Sequence, residues 1–238
     1  MTQLTELQFY ATPEHDCSYI SDLKAKTLFI DPKSDIDQKV YSQLSELGFR
    51  RSGTHIYRPH CEDCKSCISI RIPAKSFRMS KSQRRIYNRN KDLIATKTPT
   101  HFSDEHYALY EKYINTRHKD GDMYPPSKDQ FKSFLVDSKQ QSYFIEFRTP
   151  DGELQAVSNM DQLEGSHSAV YTFYNPSEPK RSLGTFAILW QLEEIKKSAL
   201  SYLYLGYWVE ECQKMKYKTS FRPLELLISG RWRRINDI

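Results

Sequence analysis

SYFIEFRTPDGELQAVSNMDQLEGSHSAVYTFYNPSEPKRSLGTFAILWQLEEIKKSALSYLYLG, residues 142–206, decides the architecture. Residues 142–148, 154–161 and 168–174 read as strands, short runs bounded by turn signals. Pro150-Asp151-Gly152 and Gly165 punctuate them as turns, so the three strands form an antiparallel meander. A proline-bounded loop at 175–180 follows, then a helix over 182–198 and a strand over 202–206. A helix that crosses over after a meander belongs to a mixed α+β domain.

Working outward, helices are expected over 104–119, with Tyr107, Tyr110 and Ile114 on one stripe, and over 129–135. Lys97-Thr98-Pro99-Thr100 reads as a boundary. It divides a basic, cysteine-containing subdomain (1–98) from the meander domain (99–238). In the first part a strand is expected near Leu7–Tyr10 and a helix over 35–47, with Asp35 as cap and Gly48 as stop. A hairpin over 49–57 with Ser52-Gly53 at its turn, a strand over 67–73 and a helix from Ser80 to Leu93 follow.

Charge is unevenly distributed. The chain has 238 residues, 30 acidic residues and a net charge of +5. Yet Cys64 to Lys91 contains no Asp or Glu, against nine Lys or Arg. An acid-free basic helix with aromatics between its cations is a place for a polyanion. Lys81, Arg84, Arg85, Arg89 and Lys91 would neutralise phosphates, and Phe77 or Tyr87 could stack on a base. A second cluster lies near the C-terminus, ending in RWRR. Hydrophobic residues at 38% and aromatics at 13% exclude a disordered chain. No apolar run is long enough for a membrane helix, and the first residues have no signal-peptide pattern. The expected location is the cytoplasm.

Arg181-Ser182-Leu183-Gly184-Thr185 puts a loop and a helix start together. Free N–H groups and the positive dipole end there suit an anion, or Ser182 simply caps the helix. Cys61, Cys64 and Cys67 form C-x2-C-x2-C. Thiolates so spaced suit a zinc ion or an iron–sulfur cluster, with a fourth ligand from Cys17 or His60; the alternative is a set of reduced thiols. Asp161, Tyr171 and Tyr174 lie on the meander. A carboxylate facing a cleft could accept a proton from an attacking amine, or be a plain strand acid. No Ser-His-Asp or H-E-x-x-H pattern is present, so direct transfer is expected rather than covalent catalysis.

The order of elements after residue 104 matches the acyl-CoA N-acetyltransferase plan. Longer motifs are more specific. GFRRSGTHIYRPHCEDCKSCISIRIP with SQRR, AVYTFYNP…RSLGTFAILWQ, YLGYWVEEC and KMKYKTSFRPLE together resemble the arginyl-tRNA–protein transferase family, in its bacterial branch, over nearly the whole chain. The resemblance implies an acetyltransferase-like catalytic half. It implies leucyl-tRNA as donor and proteins with N-terminal Asp or Glu as acceptors, which are thereby marked for N-degron degradation. It brings Cys17 into the metal-associated set with Cys61, Cys64 and Cys67, although no cofactor is needed for the chemistry.

The acceptor's acidic side chain needs a cation, and Arg50, Arg51, Arg58, Arg71 and Arg78 are the candidates. Arg181, Ser182, Gly184 and Thr185 join the basic helix as the tRNA-binding set. Asp161 and Tyr171 are the catalytic candidates; Tyr171, Phe173 and Trp208 are candidates for the leucine pocket. An arginine donor, a non-catalytic zinc-ribbon RNA adaptor and a small-molecule acetyltransferase are the alternatives. No DNA partner is expected.

Overall fold

Alternation of side chains builds the centre of the molecule. In the strand Ser142–Arg148, Phe144 packs toward one core, while Ile145 and Phe147 pack toward another. Ala156 and Val157 in the next strand divide in the same way, so one sheet is covered on both faces. The computed structural model describes residues 3–235.

In chain order the elements are β1 (Phe9–Ala11), β2 (His15–Asp16), β3 (Lys24–Ala25), β4 (Thr27–Ile30), α1 (Gln38–Glu46), β5 (Arg50–Ser52), β6 (His55–Pro59), β7 (Ile68–Pro73), α2 (Lys81–Arg89) and β8 (Ile94–Pro99). There follow α3 (Asp104–Arg117), α4 (Lys128–Phe131), β9 (Ser142–Arg148), β10 (Leu154–Leu163), β11 (Ser166–Tyr174), α5 (Leu183–Lys197), β12 (Tyr202–Trp208), β13 (Leu224–Ile228) and β14 (Arg231–Ile235).

The large sheet has eight strands in the order β14-β13-β7-β12-β11-β10-β9-β8. β9, β10 and β11 form the expected meander, and α5 carries the chain to β12, which pairs parallel to β11. α5 fills one face through Phe186, Leu189 and Leu192. α3 fills the other through Tyr110 and Ile114. A small sheet, β1-β4-β6-β5, packs with α1 against Leu163 and Tyr204 of the large one.

Several local expectations shift. The cap of α1 is Asp37, whose Oδ1 accepts from Val40 N at 2.8 Å, rather than Asp35. Gly48 does end it, with φ +89°. α2 stops at Arg89, earlier than Leu93. Lys97-Thr98-Pro99, read as part of a boundary, belong instead to β8 on the meander's edge. Likewise β7, from the first part of the chain, sits between β12 and β13. RWRR lies in strand β14, and residues 236–238 after it lie outside the described ones. β8 and β14 are polar edge strands, whose exposed faces weaken the alternation that reveals a strand.

Candidate functional site

β11 and β12 begin side by side and then part. Their parallel pairing covers only Ser166–Ser168 and Tyr202–Tyr204. Both strands carry an irregularity just beyond it. On β11, Tyr171 faces Asn159 and Ala169 faces Met160, so Val170 is extruded as a bulge. On β12, Tyr204 faces Arg71 and Tyr207 faces Ser69, so Leu205 and Gly206 oppose Ile70 alone. Gly206 has φ +75°, backbone that an L side chain adopts only under strain. The two irregularities open a split in the sheet.

The start of α5 lies beside β11. Ser182 is left-handed, with φ +51°, and its side chain caps nothing. The first N–H groups of the helix are therefore free of a side-chain acceptor, the arrangement that receives an anion. Ser182, Gly184 and Thr185 are all partly exposed. A Cβ on Gly184 would come within 3.0 Å of Cε1 of Tyr174, so glycine lets the helix start approach that ring closely. Tyr174 packs on Tyr113 with centroids 4.7 Å apart, and Tyr113 bonds His118 at 2.9 Å.

The basic helix α2 is fastened to this point. Ser80 and Gln83 cap it reciprocally. Gln83 Nε2 also donates to Ser220 O at 2.9 Å. At its far end Arg89 donates to the carbonyl of Lys180, and Asn90 Nδ2 donates to Arg181 O at 2.8 Å. Tyr87 packs on Phe186 of α5, centroids 5.8 Å apart. Lys81, Arg84, Arg85, Arg89 and Lys91 are all exposed and have no acid within ion-pair distance among the described residues. Arg181 is paired with Asp92 at 2.8 Å. The exposed cations of α2 thus run up to the start of α5.

The candidate arginines separate sharply. Arg51 grips Asp161 with Nε–Oδ2 at 2.8 Å and Nη2–Oδ1 at 2.7 Å. Arg71 is held by Glu225 and Glu46, each at 2.8 Å, between the rings of Tyr202 and Trp232. Both are spent on internal carboxylates and cannot read an acceptor. Arg78 is exposed and donates to the carbonyls of Lys75 and Phe77. Arg58 lies over Phe49 at 5.0 Å. Arg50 is buried and reaches no carboxylate among the described residues.

Asp161 does not face a cleft. It is fully buried, and besides Arg51 it accepts from Tyr41 Oη and Ser142 Oγ, each at 2.6 Å. A carboxylate bound four times has no lone pair left for an amine, so the expectation of a cleft-facing base is corrected. Phe173 is sealed in the core against Tyr110 and Phe131, and lines no open space. Tyr171 is different. Its hydroxyl is buried without a partner among Tyr110, Tyr113 and Phe134, and burial raises its pKa well above the ordinary phenol value. Trp208 is buried on β12, with an unpartnered Nε1, and borders a surface pocket of about 300 Å³ with Lys65, Glu210 and Glu211.

Burial pushes the Cys67 thiol up to about 12, with contributions from Cys17, Cys61, Cys64 and Cys212. Cys61 is within 3.8 Å of Lys26 O, and Cys64 accepts from Ser66 N at 3.4 Å. Among the described residues no three thiols, imidazoles or carboxylates converge as the ligands of one ion would. Cys17, Cys61, Cys64 and Cys67 are all free thiols and partly buried. His60, the other candidate ligand, is exposed.

Sequence reasoning missed Lys218 altogether as a site residue. It is buried beside the β12 irregularity, where its ammonium donates to Tyr207 O. A lysine in a polar run gives no sign in sequence that it will be enclosed.

These features define an α+β protein whose basic helix is fastened to an uncapped helix start beside a split sheet. The comparisons place it more closely. "Arginine-tRNA-protein transferase, N terminus" matches residues 15–85, and "Arginine-tRNA-protein transferase, C terminus" matches 105–228. The chain belongs to this family. It is 54% identical to an aspartate/glutamate leucyltransferase of Pseudomonas putida (strain GB-1), covering 99% of this chain and all of the relative. It is 51% identical to one of Marinobacter nauticus, covering 99% of each. The solved structure of L-PGS from Bacillus licheniformis shares the fold at TM-score 0.52 and 14% identity, over 72% of this chain and 59% of that one. No described helix is long and apolar enough to cross a membrane.

Proposed function

We propose that this protein moves leucine from leucyl-tRNA onto the N-terminal Asp or Glu of proteins, the step that marks them for N-degron degradation. One observation carries the reading. In a chain 54% identical end to end to an aspartate/glutamate leucyltransferase, the basic helix α2 is tied by Arg89 and Asn90 to the uncapped start of α5. The backbone of the tRNA follows α2 through Lys81, Arg84, Arg85 and Arg89, and its 3′ end turns in at Ser182–Thr185. The order of meander, crossover helix and parallel strand supports an acetyltransferase-like plan, with the aminoacyl ester in place of an acyl thioester.

The chemistry asks little of side chains. The ester is already activated, and the leaving group is the tRNA 3′-oxygen. The acceptor's neutral α-amine attacks the ester carbonyl, a C–N bond forms, the C–O bond breaks, and the amine proton leaves to solvent or to the departing oxygen. Holding amine and carbonyl together supplies much of the rate. Val170, extruded by the bulge, is the candidate backbone donor for the developing oxyanion. Tyr171, with its unpartnered hydroxyl, and Trp208 stay the candidates for contact with the leucyl side chain. The direct test mixes the protein with leucyl-tRNA and an Asp-start peptide and seeks the leucyl-peptide by mass spectrometry. A peptide left unmodified, with the tRNA bound, would favour an RNA adaptor.

A further inference from the structure

Arg50 is only 6% exposed, yet two of its three guanidinium nitrogens have no partner. Its Nη1 donates to Ser45 O at 3.1 Å and to the carbonyl of Phe49 at 2.6 Å. These anchor the group at the C-terminal end of α1, where the helix dipole favours a cation. The Nε and Nη2 atoms are buried and unbonded. Those two N–H bonds lie side by side on one edge of the guanidinium, the edge that matches the two oxygens of a carboxylate. Arg51, the next residue, uses that same edge on Asp161. Arg50 has the geometry and lacks the acid.

The surroundings suit an incoming anion. The guanidinium lies over the rings of Tyr204 and Tyr207, at 5.1 and 5.7 Å, the residues on either side of the β12 irregularity. A Cβ on Gly206 would stand 3.8 Å from Lys218 Nζ, so a second cation occupies the same place. Burial, and the charge of Arg50 nearby, push Lys218 down to about 8 against the opposing effect of Cys212. No acid pairs with either cation among the described residues. Two enclosed cations without a counter-ion are costly unless an anion arrives.

We propose that Arg50, with Lys218 beside it, reads the acidic side chain of the acceptor: the Nε–Nη2 edge binds the carboxylate of an N-terminal Asp or Glu at the parting of β11 and β12. The inference rests on the leucyl-transfer reading above. A nucleic-acid phosphate is the poorer occupant. The exposed cations of α2 already serve a polyanion, whereas Arg50 offers one buried two-hydrogen edge.

The test is acceptor selectivity, measured with the full chain, leucyl-tRNA and peptides that differ only in starting with Asp or Asn. Arg50→Gln should lower kcat/KM for the Asp-start peptide by about 100-fold, mainly through KM, because a buried charge pair loses one member. Its preference for Asp over Asn should vanish, while the KM for leucyl-tRNA stays unchanged. Lys218→Met should produce a smaller loss of the same kind. Calorimetry on the unaltered protein gives a readout that needs no variant: the Asp-start peptide should bind at least about tenfold more tightly than the Asn-start one. Equal binding of the two peptides overturns the proposal, as does an Arg50→Gln variant that keeps its preference. A raised KM for leucyl-tRNA, with all acceptors losing equally, assigns Arg50 to the RNA and also overturns it. If the unaltered protein leucylates neither peptide, the underlying reading itself fails.

Discussion

Arg51 and Asp161, 110 positions apart, meet as a side-on pair in which the arginine side chain is 1% exposed and the aspartate fully buried. Asn159 Oδ1 accepts from the same guanidinium at 3.0 Å, and Tyr41 and Ser142 complete the shell of the aspartate. The pair joins the small sheet to the meander. Charges enclosed this way tie elements together only while both partners stay.

Asp161→Asn should therefore destabilise the protein by about 3–5 kcal/mol, since it strands a buried guanidinium. The urea midpoint measures this. The fraction still folded should retain kcat. Undiminished stability with kcat lost would instead make Asp161 a catalytic base.

Gly184→Ala tests the helix start. The added methyl would press on Tyr174 at 3.0 Å and displace the ring from its close approach. Leucyl transfer should fall by about tenfold, a loss of about 1.4 kcal/mol in transition-state stabilisation. The thermal midpoint should hardly move, because alanine is the better helix former. Unchanged transfer would remove the α5 start from the site.

Charge on α2 should act through salt. Each of Arg84→Ala and Arg85→Ala should weaken leucyl-tRNA binding and lower the slope of log affinity against log salt by about one. Stability should stay within about 0.5 kcal/mol, as both side chains are exposed. A slope that does not change would mean that phosphates do not lie there.

Acid should loosen the fold above the carboxylate range. Burial holds His106 below the ordinary imidazole value, although Glu146 opposes this. Burial and the Lys97 charge push His167 down to about 4. For both, the unfolded chain takes up protons first. Their contribution to stability is whole above about pH 6.5 and is lost as pH falls toward the folded values. The urea midpoint should drop steadily between pH 7 and 4 by the reference imidazole titration, and His167→Gln should flatten part of that drop. A midpoint level down to pH 5 would contradict it.

The meander and α5 were legible because turn residues at Pro150-Asp151-Gly152 and Gly165 separate β9, β10 and β11, and α5 runs unbroken between a proline-bounded loop and Ser198. β8 and the β13–β14 hairpin were not. Edge strands such as Arg231–Ile235 carry charges outward and read as tail. The basic surface was legible as well, since missing acids are visible in a string of letters. The division among arginines was hidden. Arg50, Arg51 and Arg71 look alike in sequence, and only the fold brings Asp161 and Glu225 to two of them from 110 and 154 residues away. Phe173 looked like a pocket wall because alternation tells which residues are buried, not whether space is left beside them.

Donor choice tests the central claim most directly. The protein is given leucyl-tRNA, arginyl-tRNA and acetyl-coenzyme A separately, each with the same Asp-start peptide, and initial rates are compared. The account predicts a leucylated peptide from leucyl-tRNA and no product from acetyl-coenzyme A. A peptide acetylated by the thioester, a peptide arginylated rather than leucylated, or no peptide-bond formation from either aminoacyl-tRNA, would contradict it.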